Sequence, residues 1–268
     1  MKIDQNRLNI LTAHPTQLPA AHDLRRDGRI FFVGGELSVN ETLETMFDSF
    51  CTESTDLFYL SFGPKETCQR GMEMARQIKK NFSVRLMGRF DFPAPASFTE
   101  HAYAAGVDIL DIPLWVFDPA VATQRGFDTA ATIESLRDAC SVFPRWSVAS
   151  TLLFGPEPAD STMKGIDTLL KEGIVPLPAI AWSESGAASE GIEAALKHLA
   201  CGWKSHDVTI KPLIPLIRYT TPLIPLEQPG LFRGLIDKLQ DRRHLAASDL
   251  RRHLRVQAAE NSLDSAGL

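Results

Sequence analysis

The sequence predicts an α/β protein, a parallel (β/α) barrel with a helical C-terminal extension, on three observations. Six short apolar runs begin near residues 30, 57, 83, 107, 146 and 174. Each is followed by a stretch of helical periodicity. The runs are continuous rather than strictly alternating, as in strands buried on both faces. Parallel neighbours need a helical crossover, so six βα units at spacings of 24 to 39 residues imply a parallel sheet. Periodicity leaves open whether it closes, TIM-like, or stays a partial six-unit barrel. A length of 268 residues suits one such domain.

The predicted strands are IFFVGG (30–35), LFYLSFG (57–63), SVRLMGRFDF (83–92), VDILDIPLWVF (107–117), WSVASTLLFG (146–155) and IVPLPAIAW (174–182). Helices are predicted over 40–50, 65–81, 96–106, 128–143, 160–173 and 189–202. In 160–173, Met163, Ile166, Leu169 and Leu170 recur at helical spacing, with Asp160 or Ser161 as the N-cap. Gly106, Gly173 and Gly202 stand where a left-handed C-cap residue is wanted. A seventh apolar run (207–219) leads into a proline-spaced stretch. There Pro212, Pro215, Pro222 and Pro225 rule out a continuous helix and disfavour a central strand. Residues 231–260 read as a helix with an apolar stripe. The expected layout is an N-terminal extension (1–29), the barrel (30–226) and a C-terminal helical extension (227–268).

Composition narrows the function classes. The chain is 44% hydrophobic, with 28 Lys and Arg against 33 Asp and Glu, a net charge of −5 that gives no reason to expect nucleic-acid binding. No run approaches the ~18 apolar residues of a membrane helix, and the start shows no export signal, so a cytoplasmic location is expected. Four cysteines (51, 68, 140 and 201) are too scattered for a disulfide framework, and seven histidines show no metal-ligand spacing. GxxxxGK[ST], GxGxxG and HExxH motifs are absent. Cys68, in a first helical turn, reads either as a thiol acidified by the helix dipole or as a small buried residue.

In parallel α/β folds ligands bind at the C-terminal ends of the strands. That rule selects Gly34, Gly35 and Glu36; Ser61, Gly63, Lys65 and Glu66; Arg89 and Asp91; Asp111, Trp115 and Asp118; Ser150, Thr151, Gly155 and Glu157; and Trp182 and Glu184. Glu66 and Glu157 also read as first-turn helix acids. Asp111 stands out: an acid inside an apolar strand needs a partner or a ligand, and Arg89, one strand earlier, is the candidate partner. Ile109, Asp111, Pro113 and Trp115 are expected to share a face.

Three phrases, LSFGPKE (60–66), AGVDILDIPLWVFDPA (105–120) and TLLFGPEPADSTMKGIDTLLKEGIVPLP (151–178), resemble the radical S-adenosylmethionine (radical SAM) barrel over about residues 30–182. That resemblance implies a partial six-unit barrel with an iron–sulfur cluster after the first strand. It also implies a GGE-like motif after the second strand for the amino group of SAM, polar contacts on strands four and five, and a turn ending strand five. On this chain these become Gly63-Pro64-Lys65-Glu66, Asp111, Ser150 or Thr151, and Gly155-Pro156-Glu157. The chain departs from the family at the cluster: GGELSVNETLETMF follows the first strand, with no CxxxCxxC. SAM is therefore an expected ligand, and an iron–sulfur cluster is not.

Three functions follow. The first is a radical-SAM-like barrel without its cluster, binding SAM or another small polar ligand through Gly63, Glu66, Ser150, Thr151 and Gly155. The second is a (β/α)-barrel lyase, isomerase or methyltransferase acting on a small acid, with Asp111, Asp91 or Glu157 as general acid or base and Arg89 as carboxylate clamp. The third is a non-catalytic barrel that binds a protein partner or a second copy through 212–226, a segment with one charge in 15 residues.

Overall fold

A computed structural model of the chain describes residues 1–52, 55–181, 187–225 and 250. Trp182, Glu184, the Cys51 side chain and the helix expected over 231–260 lie outside the described residues. In chain order the elements are β1 (Lys2–Ile3), α1 (Gln5–Ala13), β2 (Leu24–Asp27), β3 (Ile30–Gly34), α2 (Val39–Thr52), β4 (Leu57–Ser61), α3 (Cys68–Asn81), β5 (Arg85–Arg89) and α4 (Ala96–Ala104). There follow β6 (Ile109–Asp111), α5 (Pro119–Gln124), α6 (Thr129–Val142), β7 (Val148–Phe154), α7 (Ala159–Lys171), β8 (Val175–Ile180) and α8 (Ala187–Ser205). A 3₁₀ turn (Lys211–Leu213), α9 (Ile214–Thr220) and β9 (Leu223–Ile224) come last.

The sheet has seven strands in the sequential order β2 to β8. All six predicted strands lie in it side by side and parallel, joined by helical crossovers. The seventh, β2, comes from the N-terminal extension and pairs antiparallel with β3 across a two-residue turn that holds Gly28 at φ +54°. Glycine at the first of the two central positions, here followed by Arg29, is a sequence mark of such a hairpin. β1 and β9 form a separate antiparallel pair joining the two ends of the described chain. The edge strand β8, VPLPAI, carries Pro176 and Pro178.

Helices cover one face of the sheet, where Phe31 packs on Phe58 and Phe58 on Phe82, with ring centroids 5.8 and 5.2 Å apart. The opposite face is concave and is filled by α9. This helix packs on β8, while Tyr219 near its end lies 5.0 Å from the ring of Phe32 on β3 and accepts a 2.8 Å hydrogen bond from Arg25 on β2. Seven helical residues span about 10 Å, whereas five strand spacings in a flat sheet would span about 24 Å. The sheet is therefore a curled half-barrel.

α9 also settles what covers the apolar run. Leu213, Leu216, Ile217 and Leu223 are buried in the chain's own core, and Ile224 is the exposed apolar residue among them. Much of the run is thus covered within the chain itself, with Ile224 left exposed. Pro215 sits in the first turn of α9, where a missing N–H costs nothing. The prolines thus break the run into short elements without preventing a helix.

Two local expectations change. α7 starts at Ala159 with Pro158 as its N-cap, so neither Asp160 nor Ser161 caps it. Gly202 lies inside α8: a Cβ there would come within 2.6 Å of Leu170 Cδ1, so it serves close packing of α7 on α8, whereas Gly106 and Gly173 do adopt positive φ.

Residues 20–23 cross the start of the β3–α2 loop at close range. Gly34 N–H donates to the Asp23 carbonyl (2.7 Å), and a Cβ at Gly34 would lie 2.1 Å from the Ala21 carbonyl oxygen. Backbone cannot yield as a flexible side chain can, so Gly34→Ala should cost about 3 kcal/mol. Gly28→Ala, strained in φ but with nothing within 4 Å of the new atom, should cost about 1 kcal/mol. Urea unfolding of the two variants checks the order; equal losses would contradict it.

Candidate functional site

Parallel register places Gly34, Ser61, Arg89 and Asp111 in one row across β3, β4, β5 and β6, at the C-terminal ends of the strands. Register partners in a parallel sheet present their side chains on the same face. One row below lie Phe32, Tyr59, Met87 and Ile109, on the concave side filled by α9.

Asp111 is fully buried, and both carboxylate oxygens are occupied. Oδ1 accepts from the Thr151 N–H (3.0 Å), while Oδ2 accepts from the Thr151 hydroxyl (2.9 Å) and the Tyr59 hydroxyl (3.1 Å). Burial pushes its pKa up to about 6, against the opposing pull of Arg89 and of these hydrogen bonds. Burial likewise raises the Tyr59 hydroxyl well above its ordinary value.

Arg89 is not hydrogen-bonded to Asp111, as the sequence had led one to expect; it turns to Asp91. Its Nε donates to Asp91 Oδ1 (2.7 Å) and its Nη2 pairs with the same oxygen. The guanidinium carbon lies 4.9 Å from the centre of the Trp115 ring, which stacks on Phe127. Its side chain is 7% exposed and Nη1 has no hydrogen-bond partner; neither has the fully buried Ser61 hydroxyl. Tyr59 and the two carboxylates push the Arg89 pKa further up, so it stays a cation despite burial.

β6 ends at Asp111, so the expected shared face of Ile109, Asp111, Pro113 and Trp115 is broken. Pro113 has no N–H to give, and the Ser150 hydroxyl fills the gap, donating to the Ile112 carbonyl (2.8 Å) and accepting from Leu114 N–H (3.0 Å). The chain rejoins the sheet at Trp115, which pairs with Leu152 and is held at φ +61°. A bulky residue at positive φ stores strain, and its N–H and carbonyl are both bonded to β7.

The other predicted residues divide. Glu157 is buried and fully engaged: Oε2 accepts from the N–H groups of Phe117 (2.9 Å) and Asp118 (2.7 Å), Oε1 from the Thr162 hydroxyl (3.1 Å). It ties the start of α7 to the start of α5, with three of its roughly four acceptor sites used, and it lines the cavity beside Gly155. Gly155, at φ +114°, borders a cavity of about 200 Å³ lined mainly by Phe154, Pro158, Thr162, Ile192 and Ala195. Gly63, at φ +80°, sits under Ala21 and beside Glu36. Glu66 is exposed in the turn before α3. Glu36 is largely buried instead, bound by the Thr67 hydroxyl and by His22 Nε2 at 2.9 Å. Burial raises the Cys68 thiol, so the helix dipole does not acidify it.

Cys68, Cys140 and Cys201 lie on three separate helices, α3, α6 and α8. Among the described residues no group of three or more His, Cys, Asp or Glu is arranged to hold a metal ion. The β3–α2 loop and the first turn of α2 carry Glu36, Ser38, Asn40, Glu41 and Thr42, hard oxygen donors unsuited to an iron–sulfur cluster. No described helix is long and apolar enough to cross a membrane.

No family model and no curated protein matches the chain. Solved structures similar to it include coproporphyrinogen III oxidase (HemN) from Escherichia coli, described as a radical SAM enzyme. That match has 12% identity and a TM-score of 0.44, over 76% of this chain and 56% of that one. A second is the archaeal Methanocaldococcus infernus Elp3 lacking its N-terminus, at 11% identity and a TM-score of 0.35, over 77% and 58%. The chain thus spans less than two thirds of either protein's length, and the likeness is one of fold.

Two predictions follow from the geometry. The folded pKa of Asp111 lies above its unfolded value of about 3.9, so the native state binds the extra proton between about pH 4 and pH 6 and stability falls as pH rises through that window. Asp111→Asn removes the slope: relative to wild type, the variant should gain roughly 3 kcal/mol between about pH 4 and pH 7 by urea unfolding. A difference that is flat with pH would contradict it. Glu157→Ala takes the acceptor from two part-buried N–H groups and should cost about 2 kcal/mol, with Glu157→Gln costing less, in the same assay.

Proposed function

We propose that the chain is a cluster-independent (β/α) half-barrel that binds a small polar ligand at the C-terminal ends of its strands, with SAM as the first candidate. One observation carries the reading: a buried arginine at the strand mouths keeps one guanidinium nitrogen unpaired. The charge itself is paired with Asp91, but a buried donor left without an acceptor costs about 1–3 kcal/mol, and such groups are where a water, an ion or a ligand is looked for. The unpaired hydroxyl of Ser61 in the same row and the strained Trp115 beside the guanidinium add to it. The resemblance of residues 60–66, 105–120 and 151–178 to the radical SAM barrel supplies the ligand class.

In this reading Arg89 and Ser61 contact the ligand, and Asp91 and Trp115 hold the guanidinium in place. Ser150 belongs to the sheet ladder, and Glu66 faces solvent. Acid–base catalysis is less well supported. Asp111 is enclosed with both oxygens engaged, Glu157 serves as a tie, and Asp91 is committed to Arg89.

Isothermal titration and a thermal shift with SAM test the reading. At a hundredfold excess over Kd, binding adds about 2.7 kcal/mol, which for a chain of this size raises Tm by roughly 5–10 °C. No heat and no shift at millimolar SAM sinks it.

A further inference from the structure

A second opening with a buried acid in its wall lies on the other face of the sheet. Thr151 reaches Asp111 on the concave face, so Phe154, three residues further along β7, points to the helix layer. There the cavity of about 200 Å³ lies between the end of β7, α7 and α8. Phe154, Pro158, Ile192 and Ala195 are apolar walls, while Glu157 and Thr162 supply the polar side chains. None of Ser61, Arg89, Asp91 and Asp111 lines it.

Glu157 is 6% exposed, and among the described residues no cationic side chain pairs with it. Oε2 takes two N–H groups and Oε1 one hydroxyl, so of roughly four acceptor sites the one left is on Oε1. Oε1 is also the oxygen on the cavity side. Its donor Thr162 lines the cavity, and neither Phe117 nor Asp118, the donors to Oε2, does so. The Thr162 hydroxyl spends its hydrogen on Glu157 and keeps lone pairs beside it. Asp160 and Glu190, in the first turns of α7 and α8, offset the positive ends of both helices, so the cleft keeps the negative charge of Glu157.

We infer that this cleft is a second binding site, for a compact primary amine whose ammonium is held by Glu157 Oε1 and Thr162 Oγ1 and whose apolar body lies between Phe154 and Ile192. A buried carboxylate without a cation calls for positive charge, and two acceptors side by side call for a group with several N–H donors. The apolar walls set the rest of the ligand. Since an apolar cavity of about 150 Å³ takes benzene, this one takes roughly eight non-hydrogen atoms. The site is independent of the ligand reading at Arg89.

The test is NMR titration of the full chain at neutral pH with benzylamine, which matches that size, and with benzyl alcohol, its neutral isostere. Benzylamine is expected to bind with a Kd on the order of 1 mM. Benzyl alcohol should bind about tenfold more weakly, the difference between a charge-assisted and a neutral hydrogen bond. Glu157→Gln keeps an acceptor for the backbone N–H groups but removes the charge, and should bring the two ligands within about twofold of each other. Gly191→Ala places a methyl group 3.6 Å from Ala159 Cβ, an ordinary contact between two lining residues. Alanine also suits a helix better than glycine, so its Tm should not fall, while the narrowed cavity should weaken benzylamine about fivefold. Equal binding of amine and alcohol to the wild type overturns the inference. So does a preference for the amine that survives Glu157→Gln, or benzylamine binding untouched by Gly191→Ala. Failure of both compounds to bind at tens of millimolar overturns it as well.

Discussion

A parallel sheet that curls without closing has a concave apolar face that no strand pairing and no crossover helix can cover. Here α9 covers it, and much else depends on that contact. Seating Tyr219 against Phe32 while the helix packs on β8 holds the two sides of the sheet at one curvature. The same curvature encloses Tyr59 and Asp111. Arg25 closes the arrangement from β2, with its guanidinium 4.5 Å from the centre of the Phe32 ring and bonded to the Tyr219 hydroxyl. Removing α9 would uncover Phe32 and the inner face of β8.

Polar groups at the strand ends fall into two kinds. Ser150, Glu157 and Asp118 repair the backbone: each bonds N–H or carbonyl groups freed where β6 stops and the chain turns outward. Through these bonds such groups answer the geometry of a broken strand and imply no ligand. Arg89 and Ser61 repair nothing. An acidic row with one incompletely bonded cation is expensive to fold, and its position coincides with the end of the sheet where open α/β folds bind ligands.

Much of this was legible in the residues. Continuous apolar runs alternating with helical periodicity located six strands and six helices, because both signals are long and strong. Asp111 was legible because an acid in an apolar strand demands partners. Its actual partners were not, since Tyr59 reads as one more aromatic in LFYLSFG and only its polar tip distinguishes it. Whether Ser150 or Thr151 faces the interior is a question of strand parity, which a one-residue uncertainty in register reverses. The choice of Asp91 over Asp111 by Arg89 depends on side-chain reach, about which spacing is silent. The β2–β3 hairpin carries a signal in Gly28, the first of its two turn residues, but a lone glycine does not distinguish a hairpin from any other turn. α9 was masked by prolines that mark its start and its end.

The prolines of β8 have a further effect. Ala181 N–H bonds back to the Phe154 carbonyl, so N–H groups at 175, 177 and 179 face β7, and those at 176, 178 and 180 face outward. Residues 176 and 178 are the prolines, which have no N–H to offer. Along most of its free edge β8 can therefore accept hydrogen bonds but not return them. A further strand would find no regular ladder there, whether it came from the same chain or from a neighbouring molecule. The edge of the sheet, unpaired among the described residues, is thus guarded by covalent chemistry in addition to the packing that buries all six residues of β8.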